Sequence, residues 1–123
     1  MNAKHYVSLE VAKLLKEKGY NKECYLYYKE EDPALYYREL YNRNSERDDI
    51  ISAPTLLEAM DWLEERGMIL FLGFNTTHQA WWFNGYHKSK KKVYLNDIKG
   101  VYDLYKDRNE CMNAAIKKGV ELL

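Results

Sequence analysis

Apolar residues recur along this chain at helical spacing in three stretches and at extended spacing in several others, with caps and glycines between them. Val11, Ala12, Leu14 and Leu15 form a stripe behind Ser8, a cap, and ahead of Gly19, which is placed for a left-handed C-terminal cap. A second helix begins at the capping box Thr55-Leu56-Leu57-Glu58, just after Pro54. It carries Leu56, Ala59, Met60 and Leu63 on its apolar face, with Trp62 near the edge, and ends at Gly67. A third begins at Asp107, with Glu110 three residues on. Cys111, Met112, Ala115, Ile116, Val120, Leu122 and Leu123 give it a broad apolar face. Gly119 inside that helix costs about 1 kcal/mol against Ala and allows a close approach to a neighbour.

Between the helices the pattern turns extended. Residues 24–28 (CYLYY) read as a strand and 29–33 as its breaker. Residues 35–41 (LYYRELY) read as a second, antiparallel strand, although Arg38-Glu39-Leu40 would also suit a helix. The polar run 42–49 is a loop. Residues 68–74 (MILFLGF) and 79–84 (QAWWFN) form a strand and its return, Asn84-Gly85 marks a tight turn, 86–92 is a Lys-rich loop, and 93–95 is a last short strand. The order α-β-β-α-β-β-β-α with short connections implies a single α+β domain over residues 1–123, with a mainly antiparallel sheet of four to five strands and three helices. Residues 9–19 (LEVAKLLKEKG) align without gaps on 57–67 (LEAMDWLEERG) with five of eleven identical, a hint of duplication that any two Gly-capped surface helices partly share.

Two strands do not alternate as a half-exposed sheet should. Met68, Leu70, Leu72 and Phe74 point one way and Ile69 and Phe71 the other; Trp81 and Phe83 oppose Ala80 and Trp82. Three helices cover one sheet face well and a second only in part. The second face therefore calls for helices split between faces, a second copy of the chain, or a protein partner.

Composition narrows this picture. The chain has 123 residues, 46% hydrophobic and 31% charged, which excludes disorder and low complexity. Its 19 basic and 19 acidic residues cancel, removing the simplest argument for nucleic acid or an anionic membrane. Cys24 and Cys111 are far apart and form no C-x-x-C, so they read as free, buried thiols of a reducing compartment. No apolar signal core or membrane-length stretch is present, and the expected location is cytoplasmic. Twelve of the 18 aromatics are Tyr, and six of these lie between residues 25 and 41. Tyr offers large contact area with a polar tip. Tyr25, Tyr27, Tyr36, Tyr37, Trp81 and Trp82 are thus the candidate protein interface, for self-association or another partner.

The alternative partner is nucleic acid. Lys88, Lys90, Lys91 and Lys92 could track phosphates beside Trp81, Trp82 and Tyr86. The zero net charge and the missing Arg count against it, since base-edge readout favours Arg. Asp61, Glu64 and Glu65 share one exposed helix face. Glu30, Glu31 and Asp32, with Glu46, Asp48 and Asp49, make further acidic groups, and His5, His78 and His87 show no ligand spacing, so no metal or cofactor is expected. With no G-x-S-x-G elbow and no phosphate loop, the expectation is a protein without catalytic residues.

Three segments carry a resemblance: YVSLEVAKLLKEKG (6–19), SAPTLLEAMDWL (52–63), and YDLY (102–105) leading into NAAIK (113–117) and ELL (121–123). Together they resemble small uncharacterised proteins encoded by phages and mobile elements of gut bacteria. The resemblance covers about half of the chain, suggests a phage or mobile-element origin, where small binding and accessory proteins are common, and transfers no activity and no catalytic residue. The Lys cluster lies outside it.

Overall fold

The computed structural model describes residues 3–30, 32–45, 48–95 and 104–123, with the backbone alone at 38–42 and 93–95. Glu31, Glu46, residues 96–100 of the basic segment and residues 102 and 103 of YDLY lie outside these. The fold is α+β, with three helices and antiparallel sheets. The chain divides into two compact units, residues 1–59 and 60–123, with the division inside the second helix.

In the first unit, α1 (Leu9–Glu17) starts at Ser8, whose Oγ accepts from the Val11 N–H at 3.3 Å, and is followed by Gly19 at φ +93°. β1 (Cys24–Lys29) is the central strand of a sheet ordered β2-β1-β3, with β2 (Asp32–Asn42) and β3 (Ile51–Ser52) at its edges. β1 alternates strictly: Cys24, Leu26 and Tyr28 are buried, while Tyr25, Tyr27 and Lys29 face outward. The inward residues, with Val11, Ala12 and Leu15 of α1 and Ile50 and Ile51, make the core of this unit. Two buried polar side chains, Tyr28 and Asn44, are tied in. The Tyr28 hydroxyl donates to the Val7 carbonyl at 2.7 Å. Asn44 donates to the Tyr20 carbonyl at 2.9 Å and accepts from the Ser52 N–H at 2.8 Å.

α2 (Leu56–Glu65) opens with a reciprocal capping box: Thr55 N–H donates to Glu58 Oε1 at 2.9 Å and Glu58 N–H to Thr55 Oγ1 at 3.1 Å. In the second unit, β4 (Met68–Asn75), β5 (Ala80–His87) and β6 (Lys92–Leu95) form an antiparallel sheet in that order. α3 (Arg108–Glu121) starts at Asp107, which accepts from the N–H groups of Asn109 and Glu110. Its Cys111 and Ala115 pack with Phe83, and Leu70, Leu72, Trp81 and Tyr105 close round them. Gly119 allows the close approach: a Cβ there would meet Leu63 at 3.1 Å, Met68 at 3.3 Å and Leu70 at 3.4 Å.

Three expectations are corrected. The strands form two three-stranded sheets instead of one sheet of four to five, and β3 adds a strand, giving α-β-β-β-α-β-β-β-α. A two-residue strand has no period to read; it exists because β1 offers Tyr27 and Tyr28 as ladder partners. Asn84-Gly85 is no turn. β4 and β5 stay in register from Met68↔His87 to Asn75↔Ala80, and a turn at Gly85 would forfeit the pairings of Met68, Ile69 and Leu70. The segment 86–92 is accordingly not all loop: the chain reverses over Lys88–Lys91 and resumes as β6 at Lys92. The likeness between residues 9–19 and 57–67 stops at the helix ends, because the strand after α1 is central in its sheet and the strand after α2 is an edge.

Gly119→Ala is expected to change stability by less than about 1 kcal/mol, since the gain in helix propensity offsets the crowding of flexible neighbours. Gly119→Leu should cost about 1–3 kcal/mol by overpacking. Urea denaturation of the two variants checks both values.

Candidate interaction surfaces

The tyrosines of the β1–β2 hairpin form an ordered array. Tyr25 and Tyr27 leave β1 on its outward face. Tyr27 lies opposite Tyr36 in the register, and their rings stack at 5.5 Å and 25°. Tyr25 and Tyr37 stack in the same way at 5.9 Å. Neighbours on β2 can both serve this face because the ladder is irregular there: from Leu26 back to Cys24, β1 moves two residues while β2 moves from Tyr37 to Asn42. Tyr37 is 66% exposed and Tyr25 38%.

Two charged residues at the hairpin turn, Lys29 ending β1 and Asp32 opening β2, hold Tyr36. Lys29 Nζ sits 4.7 Å from the centre of its ring, and its hydroxyl donates to Asp32 Oδ2 at 2.5 Å. Asp32 Oδ1 accepts from the Ala34 N–H at 2.9 Å. The Tyr36 hydroxyl first, and the Ala34 N–H second, hold the Asp32 carboxyl below its usual range, and the same bond pushes the Tyr36 phenol up. The signal was present in sequence as a Lys and an Asp bracketing the hairpin turn, but only the register Lys29↔Asp32 brings them to the ring.

The two tryptophans part company. Trp81 belongs to the helix-covered side. Its backbone exchanges hydrogen bonds with Tyr105 at 2.6 and 2.8 Å, its ring meets Phe74 edge-on at 5.1 Å, and it packs on the Phe83 cluster. Trp82 lies on the other side, opposite Gly73, and its six-membered ring occupies the place a Gly73 Cβ would take. The indole therefore lies flat across β4, and Gly73 is what permits it. On the same side, two residues before Gly73, Phe71 is 47% exposed. Ile69 and Tyr86, paired across the ladder, are half-buried beside Asn84.

Lys88, Lys90, Lys91 and Lys92 are all exposed in the turn from β5 to β6. That turn is fixed by Lys88 N–H donating to the Gly67 carbonyl at 2.8 Å and Lys90 N–H to His87 Nδ1 at 3.4 Å, with Lys91 at φ +51°. Residues 67–96, which span all three strands of this sheet, contain these four Lys and no Asp or Glu. The neutral total hides a sheet of one sign.

The remaining chemistry is sparse. A shallow cleft of about 320 Å³ in the first unit is lined by Lys13, Lys16, Glu17, Glu30, Asp48, Asp49 and Ile51, and Lys16 Nζ donates to the Ile50 carbonyl at 2.6 Å. Among the described residues no three His, Cys, Asp or Glu gather as a metal site, and no helix is long and apolar enough to cross a membrane. Both cysteines are buried and neither is in a disulfide. Burial, then the Glu58 charge, pushes the Cys24 thiol up to about 11, against smaller opposing effects of Tyr20 and Ser52. Ser52 Oγ itself is buried without a hydrogen bond of normal geometry. Burial alone pushes Cys111 up to about 12. No protein-family model, curated protein or solved structure matches the chain.

Two outcomes follow from these groups. Asp32 has a folded value below its unfolded one, so the stability it contributes is present above about pH 3.9 and is lost as pH falls through the folded value. In Tyr36→Phe the Asp32 carboxyl, followed by NMR, should titrate at higher pH than in the wild type; an unchanged titration would refute the assigned partner. At pH 8 a thiol with a value of about 11 is roughly one part in a thousand thiolate. Native protein should thus react with a thiol reagent far more slowly than unfolded protein.

Proposed function

We propose that this chain is a non-enzymatic binding protein that self-associates through the tyrosine face of its first sheet. The carrying observation is the array itself: Tyr25, Tyr27, Tyr36 and Tyr37 stacked in pairs, with Tyr37 and Tyr25 well exposed. Rings already stacked lose little side-chain freedom on binding, and hydroxyl tips on an apolar body suit a protein partner. A second copy presents the same mixture of ring edges, hydroxyls, Lys29 and Asp32, as a two-fold interface requires. The face is favoured over the edges. β2 is irregular along its pairing and β3 has two residues, so neither edge is a good template for an added strand.

The raised thiols are the opposite of activated nucleophiles, which supports a role without catalysis. Buried thiols outside any disulfide also suit a reducing, cytoplasmic setting. The resemblance to small phage and mobile-element proteins is in keeping with an accessory role.

Light scattering behind size exclusion tests the reading. The wild type should run near twice the 14.7 kDa chain mass at high concentration. Tyr25→Ser with Tyr37→Ser should weaken the dimer at least about tenfold, as loss of interface aromatics does. A wild-type monomer at about 1 mM, or an unchanged dimer in the double variant, overturns it.

A further inference from the structure

The outer side of the second sheet differs in kind from the tyrosine face. There the rings are stacked on one another. Here the Trp82 indole lies flat against the strand at Gly73, with one ring face on the backbone and the other turned away from it. Phe71 and Tyr86 stand on the same side. Base stacking requires such ring faces and is indifferent to sequence, because every base has a π-face. Beyond Tyr86 the strand runs directly into the lysine turn. Trp82 on β5 and Lys88 at the start of the turn are six residues apart, about 20 Å of extended chain, the length of a few nucleotides.

We propose that this side of the sheet binds single-stranded nucleic acid, with bases stacked on Trp82 and Phe71 and the backbone phosphates held by Lys88, Lys90, Lys91 and Lys92. Residues 67–96 carry no carboxylate; the nearest in sequence are Glu65, two residues before the Gly67 that Lys88 bonds, and Asp97. A neutral total over the whole chain does not by itself cancel a cluster of four lysines, because those exposed charges that lie more than about 10 Å away are largely screened at 0.1 M salt. The missing Arg argues against base-edge readout in a duplex groove and is neutral toward stacking on unpaired bases. This surface belongs to the second unit and the tyrosine face to the first, so either reading can fail alone.

The test is fluorescence anisotropy with labelled twelve-nucleotide oligo-dT, oligo-rU, and a duplex of the same length. The wild type should bind the single strands and bind the duplex more weakly; the DNA and RNA arms say which sugar is preferred. If all four Lys meet phosphates, affinity should fall about fifty-fold between 50 and 200 mM salt. Changing Lys88, Lys90, Lys91 and Lys92 to Ser should abolish both the binding and the salt dependence. Trp82→Ala should cost about tenfold or more, the loss expected of one base stack. Phe71→Ala, at an exposed position, gives the same reading should Trp82→Ala fail to fold. Tyr25→Ser with Tyr37→Ser should leave oligonucleotide binding unchanged. No binding at 50 mM salt overturns the proposal, as does full binding by the Lys variant or by Phe71→Ala. Equal affinity for a twelve-residue poly-Glu peptide would also overturn it, showing an unselective cation patch.

Discussion

A sheet has two faces, and in each half of this chain the helical cover is enough for one. That constraint organises the rest. In the first unit Cys24, Leu26 and Tyr28 take the covered side, leaving Tyr25 and Tyr27 outside. In the second, α3 covers Leu70, Leu72 and Phe83 through Cys111 and Ala115, leaving Phe71 and Trp82 outside. Burying a large apolar side chain is worth about 1.5–3 kcal/mol, so aromatic rings left outside are a standing cost unless they serve contact. The two sheets meet this differently: one pairs its rings on each other, and the other lays one ring on a glycine.

The helix starts were legible because each is a local bargain. Ser8, Thr55 with Glu58, and Asp107 bond backbone groups two or three residues away, and no tertiary context is needed to see it. The strand character of residues 35–41 was legible for the same kind of reason, its aromatic content. Asn84-Gly85 misled because turn propensity is a local preference, and eight ladder pairs between β4 and β5 outweigh it. Alternation showed that Trp81 and Trp82 face opposite ways. It did not show which goes inward, since both are bulky; the residues of α3 decide that.

The candidate surfaces divide similarly. The tyrosines could be named from their density between residues 25 and 41, and the lysines from their run. What arranges them could not. Lys29 and Asp32 read as strand breakers until the register set them around Tyr36. Gly73 read as one residue of an apolar run until Trp82 was found lying over it. Cross-strand partners are set by register, which single-sequence periodicity does not contain.

Asn44 carries a consequence for how the first sheet comes apart. β3 is held by two ladder pairs with β1, by Asn44 accepting from Ser52, and by the Ala53 N–H on the Leu26 carbonyl. β3 is short but buried, with Ile50, Ile51, Ser52 and Ala53 each at most 5% exposed, so it opens only when the core of this unit opens. When it opens, Asn44 loses its acceptor role and the loop before it loses its anchor, while the β1–β2 hairpin and its stacked rings keep their own pairing. The sheet is thus a hairpin anchored on its covered side by a buried two-residue strand, and the amides of β3 would exchange with solvent only as that core opens.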